Sequence, residues 1–236
     1  AAGIGVEPRD EKWRFGELNV DRVRAQLAGD LSYEVPAVKS KPPQLCNGCP
    51  HVFSFKPLVN LGCIVAGDIG CYTLAAMKPI SGMDMQICMG ASIGMGLGLR
   101  KVLPEAQARK VVSVIGDSTF MHSGLTGLLE MVYNPPPTGH VVVVVDNSTT
   151  AMTGQQEHPG TGRKLDHSPT HAVSIEDVAK AIGVQNVAVF KPVTEGEKFQ
   201  KYLEEKLATD ELTLIILRQP CLLAAAEIAK RKAAGK

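Results

Sequence analysis

The sequence predicts an α/β protein, a doubly wound and mostly parallel sheet with helices on both faces, and three observations carry that prediction. Two runs, "KVVSVIG" at 110–116 and "HVVVVVD" at 140–146, are apolar without alternation, as strands covered on both faces must be. The segment between them, "SGLTGLLEMVYN", spaces Leu125, Leu128, Leu129 and Val132 at helical intervals. A strand, a helix and a strand in this order form a crossover, which sets the two strands parallel with their carboxyl ends together.

The other elements follow along the chain. "ELNVDRVRAQLAG" predicts a short helix ending at Gly29, and "YEVPAVKSKPPQ", proline-rich and without an apolar period, predicts a connecting arm. "GCIVAGDIGC" predicts a strand that turns at Asp68. "CMGASIGMGLGLRKVL" (88–103), rich in Gly, Ala and Ser, predicts a closely packed buried helix. Its "GMGLG" is not read as a dinucleotide loop, because no convincing strand precedes it and no acidic partner is well placed. "EHPGTGRKLDHSPTH" is a long loop holding His158, His167 and His171; such loops usually serve a function, so a lid or subunit contact is expected. "SIEDVAKAIGV" opens with a capping pattern, Ser174 followed by Asp177, "GEKFQKYLEEKLA" is a further helix, and "LTLIILRQP" is the last strand. The expected organisation is an arm at 1–45, a core domain at 46–222 and a helical tail at 223–236.

Composition excludes several classes. Lys and Arg number 25 against 24 Asp and Glu, so there is no basic field for nucleic acid, and scarce aromatics leave no base-stacking surface. No apolar run reaches the roughly 20 residues of a membrane helix. "AAGIGVEPRDEKW" lacks a basic start followed by an apolar core, so the expected location is cytoplasmic, where thiols stay reduced. Six cysteines then point to metal, redox chemistry or burial rather than a disulfide scaffold. Taken alone, Cys46 and Cys49 in "QLCNGCPHVF" fit a metal clip, a redox pair, a disulfide or two small apolar residues.

The most informative pair is Asp117, after the first buried strand, and Asn147, after the second. Ligands of a parallel sheet bind at the carboxyl ends of its strands. Two hard oxygens there suit Mg²⁺, which completes its octahedron with water and phosphate oxygens. A helix starting near His122 would aim its positive end at the same place, favouring a diphosphate. Either "GDS" or "DNS" alone also reads as an ordinary strand-end turn with a cap.

The pair resembles the thiamine-diphosphate motif, which begins Gly-Asp-Gly and ends near Asn-Asn, with Ser118 here for the third glycine and Asp146 before Asn147. With "GDIGCYTL", "CMGASIG", "GDSTFMHSG", "DNSTTAMTGQQEHPGTG" and "CPH", the chain over about residues 44–222 resembles the diphosphate-binding part of the α subunit of the indolepyruvate:ferredoxin oxidoreductases, within the 2-oxoacid:ferredoxin oxidoreductase superfamily. The resemblance implies the thiamine-diphosphate-binding fold, with Mg²⁺ held by Asp117, Asn147 and the Thr149 carbonyl. It places Gly116 and Ser118 along the diphosphate, and Ile69, Gly70, Met89 and Gly90 near the pyrimidine or thiazolium, with Met152 also in the cofactor-binding set. It further implies that Cys46, Cys49, Cys71 and Cys221 hold a [4Fe–4S] cluster beside the cofactor. Zinc on the same four cysteines is a chemically open alternative.

Cys63 and Cys88 have no place in that pattern and are expected to be buried apolar residues, as the methionines are expected to be packing groups. His51 is the catalytic candidate, with a hydrogen-bonded structural histidine as the other reading, and His122 is expected to cap the helix beside the diphosphate. The implied activity is oxidative decarboxylation of a 2-oxoacid, an arylpyruvate such as indolepyruvate, with electrons leaving through the cluster to ferredoxin and the acyl group passing to coenzyme A. The pyrimidine-binding domain that carries the activating glutamate is not legible in the chain, so it is expected to be a segment of a larger subunit or one subunit of a split complex. Two other readings stay open. A non-oxidative thiamine-dependent 2-oxoacid decarboxylase needs Asp117 and Asn147 but not four matched cysteines. A non-catalytic, zinc-stabilised binding subunit needs only the cysteines.

Overall fold

In the computed structural model, β1 (Ile64–Gly67), β2 (Met85–Gln86), β3 (Val111–Gly116), β4 (His140–Asp146), β5 (Asn186–Phe190) and β6 (Leu212–Arg218) pair in parallel throughout, in the order β2-β1-β3-β4-β6-β5. The structure describes residues 10–14, 17–34 and 43–233, and the chain divides into two compact units, 1–42 and 43–236. The sheet belongs to the second unit. Most of the expected proline-rich arm and the first nine residues lie outside the described residues.

The unbroken apolar strands have the cause expected of them. Alternate residues Val112, Val114, Val141, Val143, Val145, Ile215 and Leu217 pack with Phe55 and Leu58 of α2 (Pro50–Asn60) and with Phe199 and Leu203 of α8 (Gly196–Leu207). The intervening Ile115, Val142, Val144, Leu214 and Ile216 pack with Ile93 of α3 (Ala91–Val102), Leu128 and Met131 of α6 (Leu125–Tyr133), and Ile175 and Ala179 of α7 (Ile175–Ile182). Both faces are therefore covered, and the doubly wound fold stands.

Ser113 is the polar exception within β3. Its Oγ donates to the Ser92 carbonyl and lies 2.8 Å from His140 Nε2, so the buried hydroxyl is satisfied by the helix above and the strand beside it. Gly96 of α3 makes this possible. A Cβ there would land on Ser113 Oγ and stand 2.8 Å from His140 Cε1. Gly96, the middle glycine of "GMGLG", is thus where the helix presses onto the sheet, whereas Gly94 and Gly98 face open space.

Several elements were not expected from the sequence. α2 begins at Cys49 with no side-chain cap and carries Pro57 inside it. β5 is a half-exposed edge strand, and β2 has two residues. The helix after β3 starts not near His122 but at Asp117. A first turn, α5 (Asp117–Thr119), runs into a π-helical turn (Phe120–Gly124) and then α6. The extra residue of the π turn shifts the apolar phase, which hid the true start; such bulges concentrate at functional sites. The short α4 (Glu105–Ala108) lies between α3 and β3, and α9 (Leu222–Ala233) supplies the expected terminal helix.

In the first unit, α1 (Val20–Leu27) is capped by the Asn19 side chain, which accepts from Arg22 N, and ends as predicted at Gly29, whose φ is +69°. Gly29 N donates to the Gln26 carbonyl and Asp30 N to that of Ala25, the paired bonds of a Schellman stop. The Arg22 guanidinium lies 5.4 Å from the Trp13 ring centroid. Among the described residues no helix is long and apolar enough to cross a membrane.

Candidate functional site

The chain runs outward from β1 to β2 on one side and to β3 on the other, so the crevice at the carboxyl ends of β1 and β3 is a topological switch point. A cavity of about 520 Å³ lies there. Ile69, Gly70, Met89, Gly116, Asp117, Ser118, Asn147, Thr149 and Met152 all line it. Gly90 lies beside it as the left-handed residue before α3, with φ of +91°. Tyr72, which sequence reasoning missed, also lines the cavity. A Cβ at Gly70 would stand 2.5 Å from its ring, and one at Gly116 2.8 Å, so both glycines make room for the tyrosine.

Asp117 is buried and accepts from three donors. Its Oδ1 accepts from Ser118 N (2.9 Å), and its Oδ2 from Ser148 N (2.8 Å) and His158 Nε2 (3.2 Å). A carboxylate offers about four lone-pair sites, so one is left for a cation. Asn147 Oδ1 accepts from Thr149 N (3.2 Å) and keeps a second site free. This donor set fits Mg²⁺: hard oxygens, each with one unused lone pair, at the positive end of a helix. Ser148 sits at φ +61°, a conformation that lets its N–H reach both Asp117 and Asp146 Oδ1 (3.1 Å).

The Asp146 that departs from the thiamine motif is answered by Arg218, opposite it in the β4–β6 register. Arg218 Nε donates to Asp146 Oδ2 at 2.6 Å, and its two terminal nitrogens grip Glu176 of α7 at 2.8 and 2.9 Å. Burial, then the nearby Asp117, push the Asp146 carboxyl up, and Arg218 pulls against them. Hydrogen bonds from Arg218 hold Glu176 below the usual carboxylate range.

A second cavity, of about 570 Å³, is lined by Cys46, Cys49, Cys71 and Cys221 together, with His51 and apolar Leu45, Leu74, Leu222 and Leu223. The spacing has a structural reason. Cys49 precedes α2, Cys71 opens a 3-10 turn (Cys71–Ala76) and Cys221 precedes α9, so three of the four stand at helix or turn starts. Burial raises the Cys49 thiol and pushes Cys71 up to about 11, and the neighbouring cysteines add to both. A cationic centre would draw these two back towards thiolate. Among the described residues no three His, Cys, Asp or Glu side chains are grouped closely enough to hold a single metal ion. A cluster of four irons takes its thiolates at separate corners, which is a wider set than one ion requires.

Asn147, Cys71 and Ala151 line both cavities. His51, 3% exposed, places Nε2 at 3.3 Å from Asn147 Nδ2, and burial lowers its pKa to about 4. It lines the cysteine cavity and meets the other through Asn147. Other expectations are corrected. His122 is exposed within the π turn and caps nothing, because the helix starts five residues earlier. Cys88 is exposed just beyond the edge strand β2, where no layer covers it, whereas Cys63 packs against the core. Among the methionines Met83 is buried, but Met89 is half exposed at the cavity. His158, within the long loop, is buried against Asp117. No sequence period could have shown that contact, since it depends on how the loop closes.

Residues 68–217 match the family model described as thiamine pyrophosphate enzyme, C-terminal TPP binding domain. The chain belongs to this family. The family accounts for the fold around the Asp117–Asn147 cavity. The chain is 42% identical to indolepyruvate oxidoreductase subunit IorA of Archaeoglobus fulgidus over 88% of its own length and 35% of that protein's. It is 36% identical to the subunit of the same name from Pyrococcus abyssi, over 99% of its length and 40% of the relative's. The resemblance read from the motifs is thus borne out, and the chain spans a little over a third of these curated relatives. In three dimensions the thiamine pyrophosphate domain is similar to the 2-oxoglutarate:ferredoxin oxidoreductase of Magnetococcus marinus, with a TM-score of 0.61 over 78% of this chain and 66% of that one. At 15% identity this similarity concerns the fold.

Proposed function

We propose that the chain is the thiamine-diphosphate- and Mg²⁺-binding part of an oxidoreductase that oxidatively decarboxylates 2-oxoacids, arylpyruvates such as indolepyruvate, to acyl-coenzyme A, with electrons leaving through a [4Fe–4S] cluster to ferredoxin. The observation that carries the reading is that Cys46, Cys49, Cys71 and Cys221 line one cavity, which shares Cys71 and Asn147 with the diphosphate cavity. A decarboxylase without a redox step has no use for four cysteines beside its cofactor.

Asp117, Asn147 and the Thr149 carbonyl would hold the Mg²⁺, with Gly116 and Ser118 along the diphosphate and Ile69, Gly70, Met89, Gly90 and Met152 towards the rings. Bound thiamine diphosphate supplies the carbanion chemistry, and the protein supplies position and polarity. Ser118 Oγ is held by Thr150 Oγ1 at 2.8 Å, which fixes the hydroxyl that replaces the usual third glycine. His51, the catalytic candidate, is an uncharged imidazole at neutral pH and steadies the Asn147 amide. The Leu45, Leu74, Leu222 and Leu223 side chains give the cysteine cavity an apolar rim. The partners on this reading are the 2-oxoacid, coenzyme A, ferredoxin, and a pyrimidine-binding domain or subunit that brings the activating glutamate, together with other subunits of the complex. Nucleic acid and membrane insertion have no part in it. The location is the cytoplasm, where free thiols persist.

The test is anaerobic purification followed by iron, sulfide and zinc analysis and a visible spectrum. The expected result is about four irons and four sulfides per chain, with broad absorbance bleached by dithionite. One zinc without sulfide would make the chain a zinc-stabilised binding subunit. A metal-free chain that still binds thiamine diphosphate with Mg²⁺ would make it part of a non-oxidative decarboxylase.

A further inference from the structure

We infer that His158 is a positioning residue of the cation site, holding the Asp117 carboxylate through a ring tautomer that the backbone dictates. The inference rests on Asp117 being a Mg²⁺ ligand. His158 Nε2 lies 3.2 Å from Asp117 Oδ2, and its Nδ1 accepts from Gly160 N at 3.2 Å. A ring nitrogen that accepts a hydrogen bond carries no proton, so the proton stands on Nε2 and points at the carboxylate.

The surroundings are built for this. The His158 side chain is 2% exposed. Its carbonyl accepts from both Thr161 N and Thr161 Oγ1 at 2.9 Å, and Val173 N holds the Pro159 carbonyl at 2.9 Å. A Cβ at residue 160 would stand 3.1 Å from His158 Cε1, so a glycine lets the backbone N–H approach the ring.

A neutral donor suits the place. Lysine or arginine there would cancel the charge that attracts the cation, whereas the Nε2–H fixes one oxygen and leaves the carboxylate anionic. The other donors to Asp117, Ser118 N and Ser148 N, are main-chain groups. His158 is thus the side-chain donor that a substitution can remove. Partners of this kind are worth about tenfold to a hundredfold in metal affinity.

The experiment measures Mn²⁺ binding to the full chain at saturating thiamine diphosphate, from the electron paramagnetic resonance signal of free Mn²⁺. His158→Ala and His158→Phe, the second filling the space without a donor, should each weaken binding about tenfold to a hundredfold. His158→Gln, whose amide N–H reaches towards Asp117, should recover most of the loss. The ring ¹⁵N shifts of His158 should report a protonated Nε2 and a bare Nδ1. Asp117→Ala should abolish binding. If it does, while His158→Ala binds as the wild type or His158→Gln is as weak as His158→Ala, the positioning role is overturned and the cation site stands. If Asp117→Ala binds Mn²⁺ normally, the cation site itself is wrong and this role falls with it.

Discussion

Cys221 donates its backbone N–H to the Asn147 carbonyl at 2.9 Å. One residue therefore serves both cavities: Asn147 lines the two of them, and its carbonyl holds the main chain of a cysteine that lines the second. The link follows from strand order, because β6 lies directly beside β4 and both end at the same edge. The two sites are neighbours but are assembled from different side chains, so substitutions should separate them.

Asp117→Ala removes a metal ligand on the proposed reading and should weaken Mg²⁺-dependent thiamine diphosphate binding by more than the roughly hundredfold that an outer-shell partner is worth, while bound iron stays unchanged. Cys71→Ala should lose iron and sulfide and keep the Mg²⁺-dependent binding. Titration calorimetry and iron analysis on both variants check this. If either variant loses both properties with its far-UV dichroism intact, the assignment of two sites fails.

Arg218→Met should destabilise the protein by about 2–3 kcal/mol. Losing one partner of a buried pair costs about 3–5 kcal/mol, and the 39% exposure of the Arg218 side chain reduces this. The cost arises because Asp146 would remain buried beside Asp117 without a counter-charge. Adding Asp146→Asn, which also restores the Asn-Asn of the thiamine motif, should recover most of the loss. Urea unfolding of both variants decides it, and a double variant no more stable than the single one would remove Asp146 from the explanation.

The central strands and the ends they present were legible because burial on both faces leaves a composition signal that no exposed strand has. Asp117 and Asn147 were legible because each stands at a strand end, where position along the chain predicts position in space, whereas Cys46, Cys49, Cys71 and Cys221, which line one cavity, were named through the resemblance and not by position. What escaped depends on closure in three dimensions. α2 was hidden by the interior Pro57 and by a cysteine at its cap position, and β5 by its place at a half-exposed edge. The Asp146–Arg218 pair could be found only by knowing that β6 inserts between β4 and β5. His158 reaches Asp117 through a loop without periodicity, braced by single contacts such as Thr149 Oγ1 to the Gln156 carbonyl.

Gly96→Ala should destabilise the protein even though alanine is the better helix former. The helix preference favours the change by about 1 kcal/mol. Against it stands overpacking, about 1–3 kcal/mol, because the new methyl meets Ser113 and His140 and disturbs a satisfied buried network. A net loss of up to about 2 kcal/mol follows from these two figures, read as a lower midpoint in thermal unfolding. Gly98→Ala, whose Cβ would meet nothing within 4 Å, is the control and should be neutral or stabilising. Equal effects at the two positions would show that α3 does not press on the sheet through Gly96.

The loop that carries His158 should loosen in acid at a pH set by Glu157. Burial pushes this carboxyl up, but hydrogen bonds from Arg163 (2.8 Å) and His167 (2.9 Å) outweigh it and hold the pKa at about 2, below its usual 4.5. A carboxyl whose pKa is lowered by folding stabilises the folded form fully above the unfolded value, and that contribution is lost as pH falls towards the folded one. The contribution is therefore intact at pH 6, starts to fall near 4.5 and is gone by about 2. Amide exchange of residues 157–168, corrected for the intrinsic effect of pH, should accelerate as pH falls from 4.5 to about 2, the window that these two values bound. Glu157→Gln should exchange faster already at pH 6 and lose most of the pH dependence, since the amide cannot form the ion pair with Arg163. A wild-type loop whose corrected exchange stays flat across that window would show that Glu157 does not clamp it.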